Sequence, residues 1–181
     1  MPKDTGYWEA EEAQNQHHFD KPLSLELIKL FKVSSVVDLG CGPGYYCNAF
    51  KQAGVPAVVG YDGTPNNWGI FNNIQFADLT DPSLALPSAD LVLCLEVGEH
   101  VPKQFEKQFI ENILKPVKNY LVLSWATPGQ GGFGHVNELP NAVIKEKMAS
   151  YGMKFLEAET RQIRNAATLW WFKNTLMVFQ K

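Results

Sequence analysis

Short apolar runs alternate with amphipathic stretches along most of this chain. Pro22 to Lys32 places Leu23, Leu27, Leu30 and Phe31 near helical spacing. Ser35 to Leu39 (SVVDL) reads as a buried strand running into a glycine turn, and Tyr45 to Ala53 as a helix stopped by Gly54. Val55 to Tyr61, Ile74 to Leu79, Asp90 to Leu95 and Tyr120 to Trp125 predict four further strands, with a surface helix over Lys103 to Leu114 before the last of them. A glycine-rich loop, Pro128 to Gly134, is followed by a helix over Asn137 to Tyr151 that ends at Gly152. Lys154 to Ile163 and Thr175 to Gln180 read as two final strands.

Strands separated by helices imply a parallel sheet with crossover connections. Near-continuous apolar strands imply a sheet covered on both faces. The last two strands have no clear helix between them, which predicts antiparallel pairing. The expectation is a Rossmann-like, doubly wound α/β domain. Its sheet has seven strands, mostly parallel with an antiparallel last strand, and helices on both faces. Such sheets bind ligands beyond the carboxyl ends of their strands, and each motif below falls at one of those ends.

Length and charge narrow the picture only a little. At 181 residues the chain fits one domain, here residues 22–181, preceded by an N-terminal lid or extension over residues 1–21. With 45% hydrophobic and 19% charged residues it is globular, and a net charge of −3 gives no overall attraction to nucleic acid or an anionic membrane. The three cysteines, Cys41, Cys47 and Cys94, match no zinc spacing and suit a reduced, cytoplasmic protein. No apolar run is long enough to span a bilayer, and Met1 to Asp20 contains no signal-peptide type segment.

The strongest chemical signal is Val36-Val37-Asp38-Leu39-Gly40-Cys41-Gly42-Pro43-Gly44-Tyr45. A strand enters a glycine-rich turn and a helix follows. Glycine serves where the backbone bends sharply or approaches a ligand closely. The nicotinamide fingerprint is G-x-G-x-x-G, but here position 45 is tyrosine and the pattern is G-x-G-x-G. That spacing resembles motif I of the class I S-adenosylmethionine (SAM)-dependent methyltransferases. The resemblance runs from about Pro22 to Lys181. Asp38, at the strand end, is suited to hold the loop or receive an ammonium group. Asp62 ends the second strand about 20 residues on, where a carboxylate accepts bonds from ribose hydroxyls. By the family pattern Asp78 takes the adenine amino group, and Gly40, Cys41, Gly42, Gly44, Tyr45, Gly63, Leu79 and Glu96 complete the cofactor's surroundings. Asp-Gly and Asp-Leu-Thr-Asp are also good turn chemistry.

The fourth strand ends in Leu95-Glu96-Val97-Gly98-Glu99-His100-Val101-Pro102. Glu96, Glu99 and His100 are spaced i, i+3, i+4, so a helical turn would put them on one face. His135 follows the glycine-rich loop after the fifth strand, a neighbour of the fourth in a doubly wound sheet. Together the four resemble the Glu-x-x-Glu-His segment and later histidine of ubiquinone-biosynthesis O-methyltransferases and small-RNA 3′-terminal 2′-O-methyltransferases. In those groups the residues are associated with a metal that orients the acceptor hydroxyls. Mixed carboxylate and imidazole ligands suit Mn²⁺ or another transition metal better than Mg²⁺. Without a metal, His100 or His135 becomes the candidate base, with Glu99 the third catalytic candidate.

The substrate region is less defined. Tyr7, Trp8, His17, His18 and Phe19 precede the first helix, and in similar folds such a segment covers the cofactor. Trp125, Trp170, Trp171 and Phe172 are candidates for core packing or for stacking on a flat acceptor. The reading is methyl transfer from SAM to a hydroxyl of a small molecule. The alternatives are RNA 3′-terminal 2′-O-methylation and non-catalytic SAM binding.

Overall fold

The computed structural model describes residues 6, 8, 17–64 and 70–181. Most of the N-terminal segment, including Tyr7, therefore lies outside the described residues. The elements in chain order are α1 (Lys21–Leu30), β1 (Ser35–Leu39), α2 (Tyr45–Gln52), β2 (Ala57–Asp62), β3 (Ile74–Phe76) and β4 (Ala89–Leu95). Two 3₁₀ turns, Gly98–His100 and Lys103–Phe105, lead into α3 (Glu106–Leu114) and β5 (Val117–Ser124). Then come α4 (Asn141–Ser150), β6 (Lys154–Phe155), α5 (Glu157–Ala166), α6 (Trp170–Thr175) and β7 (Met177–Gln180).

The strands form one sheet in the order β3-β2-β1-β4-β5-β7-β6. β1 to β5 run parallel, while β7 pairs antiparallel with both β5 and β6. This is the expected doubly wound α/β sheet with an antiparallel end. The strand order reverses between β1 and β4, so the switch point that opens a ligand crevice lies there.

Alternate side chains of the strands feed two separate cores. Val37, Val92, Cys94, Leu121, Leu123 and Phe179 pack with Phe109 and Ile113 of α3 and Ile144 and Met148 of α4. Val36, Leu91, Leu93, Val122 and Val178 pack on the other face with Leu23 and Leu27 of α1, Cys47 and Phe50 of α2, and Ile163 of α5. That two-sided burial is why the strands read as continuous apolar runs rather than alternating ones. All three cysteines are buried and unpaired. Among the described residues no helix is long and apolar enough to cross a membrane.

One expected element is corrected. The strand over Lys154 to Ile163 is only Lys154–Phe155, and the remainder is helix α5. Leu156, Thr160, Ile163 and Ala167 recur at i, i+4, i+7 and i+11, and the last three are buried. Glu157 and Glu159 in the first turn and Arg164 in the last match the helix dipole. The final strand likewise begins at Met177 rather than Thr175, because Trp170–Thr175 forms α6.

α1 starts at a buried aspartate that also reaches across the fold. Asp20 Oδ1 accepts from the Leu23 amide at 3.1 Å, a helix N-cap. Its Oδ2 accepts from the amides of Thr168 and Leu169 at 2.6 and 2.8 Å. This one carboxylate ties the entry to α1 to the start of α6 and so sets where Trp170 and Trp171 stand.

Candidate active site

The glycine loop follows β1 directly. Gly40 and Cys41 donate their amides to the Tyr61 carbonyl at 2.7 and 3.1 Å, which pins the loop to the end of β2. Gly40, Gly42 and Gly44 have φ of +71, +52 and +81°, the left-handed region that explains the alternating glycines. Gly42 also has no room for a side chain, since a Cβ would stand 2.1 Å from the His17 ring. The Gly42 amide donates to Asp62 Oδ2 at 2.7 Å, and Asp62 Oδ1 accepts from the Thr64 amide at 2.8 Å. Asp62 therefore holds the glycine loop and starts a turn while facing the crevice. Asp78 does the same at the end of the third strand region: its Oδ1 accepts from the Thr80 amide and hydroxyl at 2.8 and 2.6 Å.

Asp38 lies beneath the loop and is 2% exposed. Burial pushes its carboxyl up to about 7; a hydrogen bond from Cys47 opposes the shift and the nearby Asp62 charge adds to it. The Cys47 thiol donates to Asp38 Oδ2 at 3.5 Å. No lysine or arginine pairs with this carboxylate among the described residues.

The second cluster forms where β4 ends. Glu96 has φ +53°, the sole positive value outside glycine among the described residues. Its amide donates to Ser124 Oγ at 2.8 Å, and its carboxylate accepts from Gln130 Nε2 at 2.7 Å and Thr175 Oγ1 at 3.1 Å. The turn that follows rests on Trp125. A Cβ at Gly98 would stand 2.3 Å from that ring, so only glycine lets the turn settle there. Trp125 is fully buried, with its indole nitrogen donating to the Asn137 carbonyl at 2.6 Å. It is a floor for the site, not a surface for substrate.

Glu99 is wholly buried; its own amide, the Ala126 amide and the Glu96 carboxyl lie near its carboxylate, but none meets either oxygen with full hydrogen-bond geometry. Burial, and then the charge of Glu96, pushes its carboxyl well above the usual range. Its own carbonyl accepts from the amides of Val136 and Asn137 at 2.8 and 2.9 Å, which ties the turn to the loop carrying His135. His100 Nδ1 lies 3.3 Å from the Gly134 carbonyl, and His135 Nδ1 lies 2.9 Å from Glu138 Oε1. In each ring the bonded Nδ1 leaves Nε2 for the site. His100 is pushed down to about 4 by burial and by the neighbouring His135 and His17. Glu99, His100 and His135 each place a ligand atom within 4.8 Å of the others. Glu96 is not part of that cluster, because its oxygens turn toward Gln130 and Thr175.

Two residues of this arrangement escaped the sequence reading. Glu138 Oε1 and Oε2 accept from the amides of Gly131 and Gly129 at 2.9 and 2.8 Å, so one side chain holds both His135 and the glycine-rich loop. Its spacing, His135-x-x-Glu138, was the available signal. Gln130, which holds Glu96, had none.

One cleft of about 340 Å³ unites both clusters along the carboxyl edge of the sheet. Asp38, Gly40, Cys41, Tyr45, Asp62, Gly63, Asp78 and Leu79 line the half beside β1 and β2. Glu96, Glu99, His100 and His135 line the half beside β4 and β5, with Trp8 on His100 and Phe133 beside Trp8, while Trp170 and Trp171 line the cleft from α6, where Trp171 meets His18. Gly42 and Gly44 are not in the wall; they shape the loop behind it. His17 and His18 line the cleft as well.

This architecture recurs in solved structures. Magnesium protoporphyrin IX methyltransferase (ChlM) from Synechocystis PCC 6803 with bound SAM superposes with a TM-score of 0.61 at 18% identity, over 87% of this chain and 74% of that one. N-methyltransferase NodS from Bradyrhizobium japonicum WM9, in complex with S-adenosylhomocysteine (SAH), gives 0.62 at 17% identity, over 88% and 83%. The 1,6-didemethyltoxoflavin-N1-methyltransferase of Burkholderia thailandensis, with its substrate and SAH bound, gives 0.60 at 14% identity, over 89% and 77%. No curated protein matches the sequence. The methyltransferase domain family matches residues 7–174, nearly the whole chain. With its glycine loop, strand-end carboxylates and strand order, the chain belongs to that methyltransferase domain family, within the class I SAM-dependent superfamily.

Proposed function

We propose that this methyltransferase binds SAM in the β1–β2 half of the cleft and methylates a hydroxyl oxygen of a small molecule in the β4–β5 half. Asp38 receives the ammonium group of the cofactor. Each Asp62 oxygen already holds one amide and has a lone pair left for a ribose hydroxyl. Asp78 directs its second oxygen to the adenine amino group.

The observation that carries the oxygen acceptor is Glu99. A fully buried carboxyl without a firm donor holds its proton, and it ionises only where a cation arrives to take up the charge. Two imidazoles whose Nε2 atoms are spare stand beside it. A divalent cation fits this donor set: ligands about 2.1 Å from a metal lie roughly 3–4 Å from one another, a small contraction from the 4.8 Å span. Glu138 behind His135 and the Gly134 carbonyl behind His100 are the outer partners that fix ligating imidazoles. A bound cation lowers the pKa of a coordinated hydroxyl and fixes its orientation. Glu99, His100 and His135 hold it, Glu96 borders the acceptor, and the protein supplies alignment with the sulfonium carbon, a large part of such catalysis. The acceptor oxygen bonds to the methyl carbon, the carbon–sulfur bond breaks with its electron pair going to sulfur, SAH leaves, and the hydroxyl proton passes to solvent.

Methylation of an RNA terminus would need cations for phosphate. No lysine or arginine lines the cleft among the described residues. Calorimetric titration of SAM and SAH, with and without Mn²⁺, on wild type and His135→Ala tests the reading. Cofactor binding with a Mn²⁺ response lost in the variant is expected. Cofactor binding without a Mn²⁺ response would remove the metal, and no cofactor binding by folded protein would overturn the proposal.

A further inference from the structure

The acceptor half of the cleft has a chemical character of its own. Its walls carry Glu96 and Glu99, the cofactor half adds Asp38, Asp62 and Asp78, and no lysine or arginine lines either half among the described residues. Aromatic rings from three separate segments line the same cleft. Trp8 comes from the N-terminal segment, with its ring edge-on to His100 at 4.8 Å and to Phe133 at 5.9 Å. Phe133 comes from the glycine-rich loop and is 42% exposed. Trp170 and Trp171 come from α6, edge-on to each other at 5.8 Å, and Trp170 is 56% exposed. Large apolar rings left open at the mouth of a cleft are unusual unless something covers them.

Trp8 adds a second, independent observation. Its indole nitrogen is buried and has no hydrogen-bond partner. An indole N–H is a donor that finds a partner when buried in most folded proteins. Gly6, two residues earlier, lies against the His100 carbonyl, where a Cβ would come within 2.5 Å. Gly6 and Trp8 are thus seated closely on the turn that carries Glu99 and His100, while the Trp8 donor is unspent. The nitrogen has almost no accessible surface, so an acceptor oxygen becomes its partner only once the Trp8 ring has turned in its seat.

We propose that the acceptor is a neutral or cationic planar ring compound, gripped by Trp8, Phe133, Trp170 and Trp171 and hydrogen-bonded by the Trp8 indole. The proposal rests on the cofactor reading above. An anionic acceptor finds no lysine or arginine to pair with in the cleft among the described residues, and its charge would be buried without compensation, so neutral or cationic rings are favoured. The acidic walls favour the positive charge that SAM itself brings. The collar contributes stacking area, and cation–π attraction where the ring carries an ammonium group.

Three probes that share a catechol ring and differ in charge test this: catechol, dopamine and 3,4-dihydroxybenzoate. Each is titrated by calorimetry into the full chain saturated with SAH and Mn²⁺. Catechol and dopamine are expected to bind, with 3,4-dihydroxybenzoate at least tenfold weaker. Trp8→Phe keeps a ring and removes the donor, and should weaken catechol about tenfold, the equivalent of one hydrogen bond. Trp170→Ala should weaken both binders more than Trp8→Phe does. The SAH titration on each variant reports that the fold and cofactor half survive. Equal or tighter binding of 3,4-dihydroxybenzoate would overturn the charge selection. Absence of all three where SAH binds would overturn the ring-binding collar alone, whereas absence of SAH binding would remove the cofactor reading beneath it.

Discussion

Asp38 sits in a conflict that can be measured. Its carboxyl is raised from 3.8 to about 7, chiefly by burial. A folded-state pKa above the unfolded one means the folded protein holds the proton more tightly. The group's contribution to stability is therefore complete below about pH 4, declines as pH rises, and is gone above about pH 7. At 1.36 kcal/mol per unit, ionised Asp38 weakens the cofactor-free fold by roughly 4 kcal/mol at pH 8. Asp38→Asn keeps the shape and an oxygen for the Cys47 thiol but cannot ionise. Urea unfolding of both proteins from pH 4 to pH 8, without cofactor, isolates the effect in their difference. The variant should match the wild type near pH 4 and exceed it by roughly 2–4 kcal/mol at pH 8, the lower figure allowing for water entry around the charge. With saturating SAH the order should reverse, because only the aspartate pairs with the ammonium group. A stability difference that is independent of pH, or a variant less stable at pH 8, would refute the claim that the fold tolerates this charge for the sake of its ligand.

Other consequences are as direct. SAH binding near pH 6 should release close to one proton as Asp38 gives up its own, seen as a dependence of the calorimetric heat on buffer ionisation enthalpy. Glu99→Gln should abolish a Mn²⁺-induced rise in Tm while SAH still raises it, because the two ligands use different halves of the cleft. Glu138→Ala should weaken Mn²⁺ by about 10–100-fold, the usual cost of losing an outer partner of a ligating imidazole. It should also speed proteolysis within residues 128–134, where the Gly129 and Gly131 amides lose their acceptor. Gly98→Ala would drive a Cβ into the buried Trp125 ring and should lower stability by roughly 1–3 kcal/mol in urea unfolding.

The fold was legible wherever burial on two faces leaves an uninterrupted apolar run, as in Asp90 to Leu95 and Tyr120 to Trp125. It failed at Lys154 to Ile163, where the helix buries only a narrow stripe and two of its members are Thr160 and Ala167, residues that do not announce a core. Glycine spacing located the tight loop after β1 because φ is a local property: Gly40, Gly42 and Gly44 are required by their own backbone. The division of labour among Glu96, Glu99 and His100 was not local. Spacing of i, i+3, i+4 assumes one continuous helical turn. The actual turn begins at Gly98, after a left-handed Glu96 whose carboxylate points to Gln130 and Thr175. Those two partners come from the loop after β5 and from α6, and only the sheet order brings them together.

The raised carboxyls share a single cause. Asp38, Glu96 and Glu99 are each shifted upward first by burial, and among the described residues no lysine or arginine stands in the cleft to offset them. Elsewhere Glu106 meets Lys103 and Lys147 at 2.7 Å, Asp90 meets Lys118 at 2.9 Å, and buried Asp20 is held by three backbone amides. Carboxyls left without such partners in the cleft are costly to ionise where, on the proposed reading, positive ligands arrive. On the proposed reading the ammonium and sulfonium of SAM would offset that cost in one half, and a divalent cation in the other. A built-in lysine would stabilise the empty fold but compete with both ligands. The absence of any such partner ties the instability of the empty site to its affinity when filled.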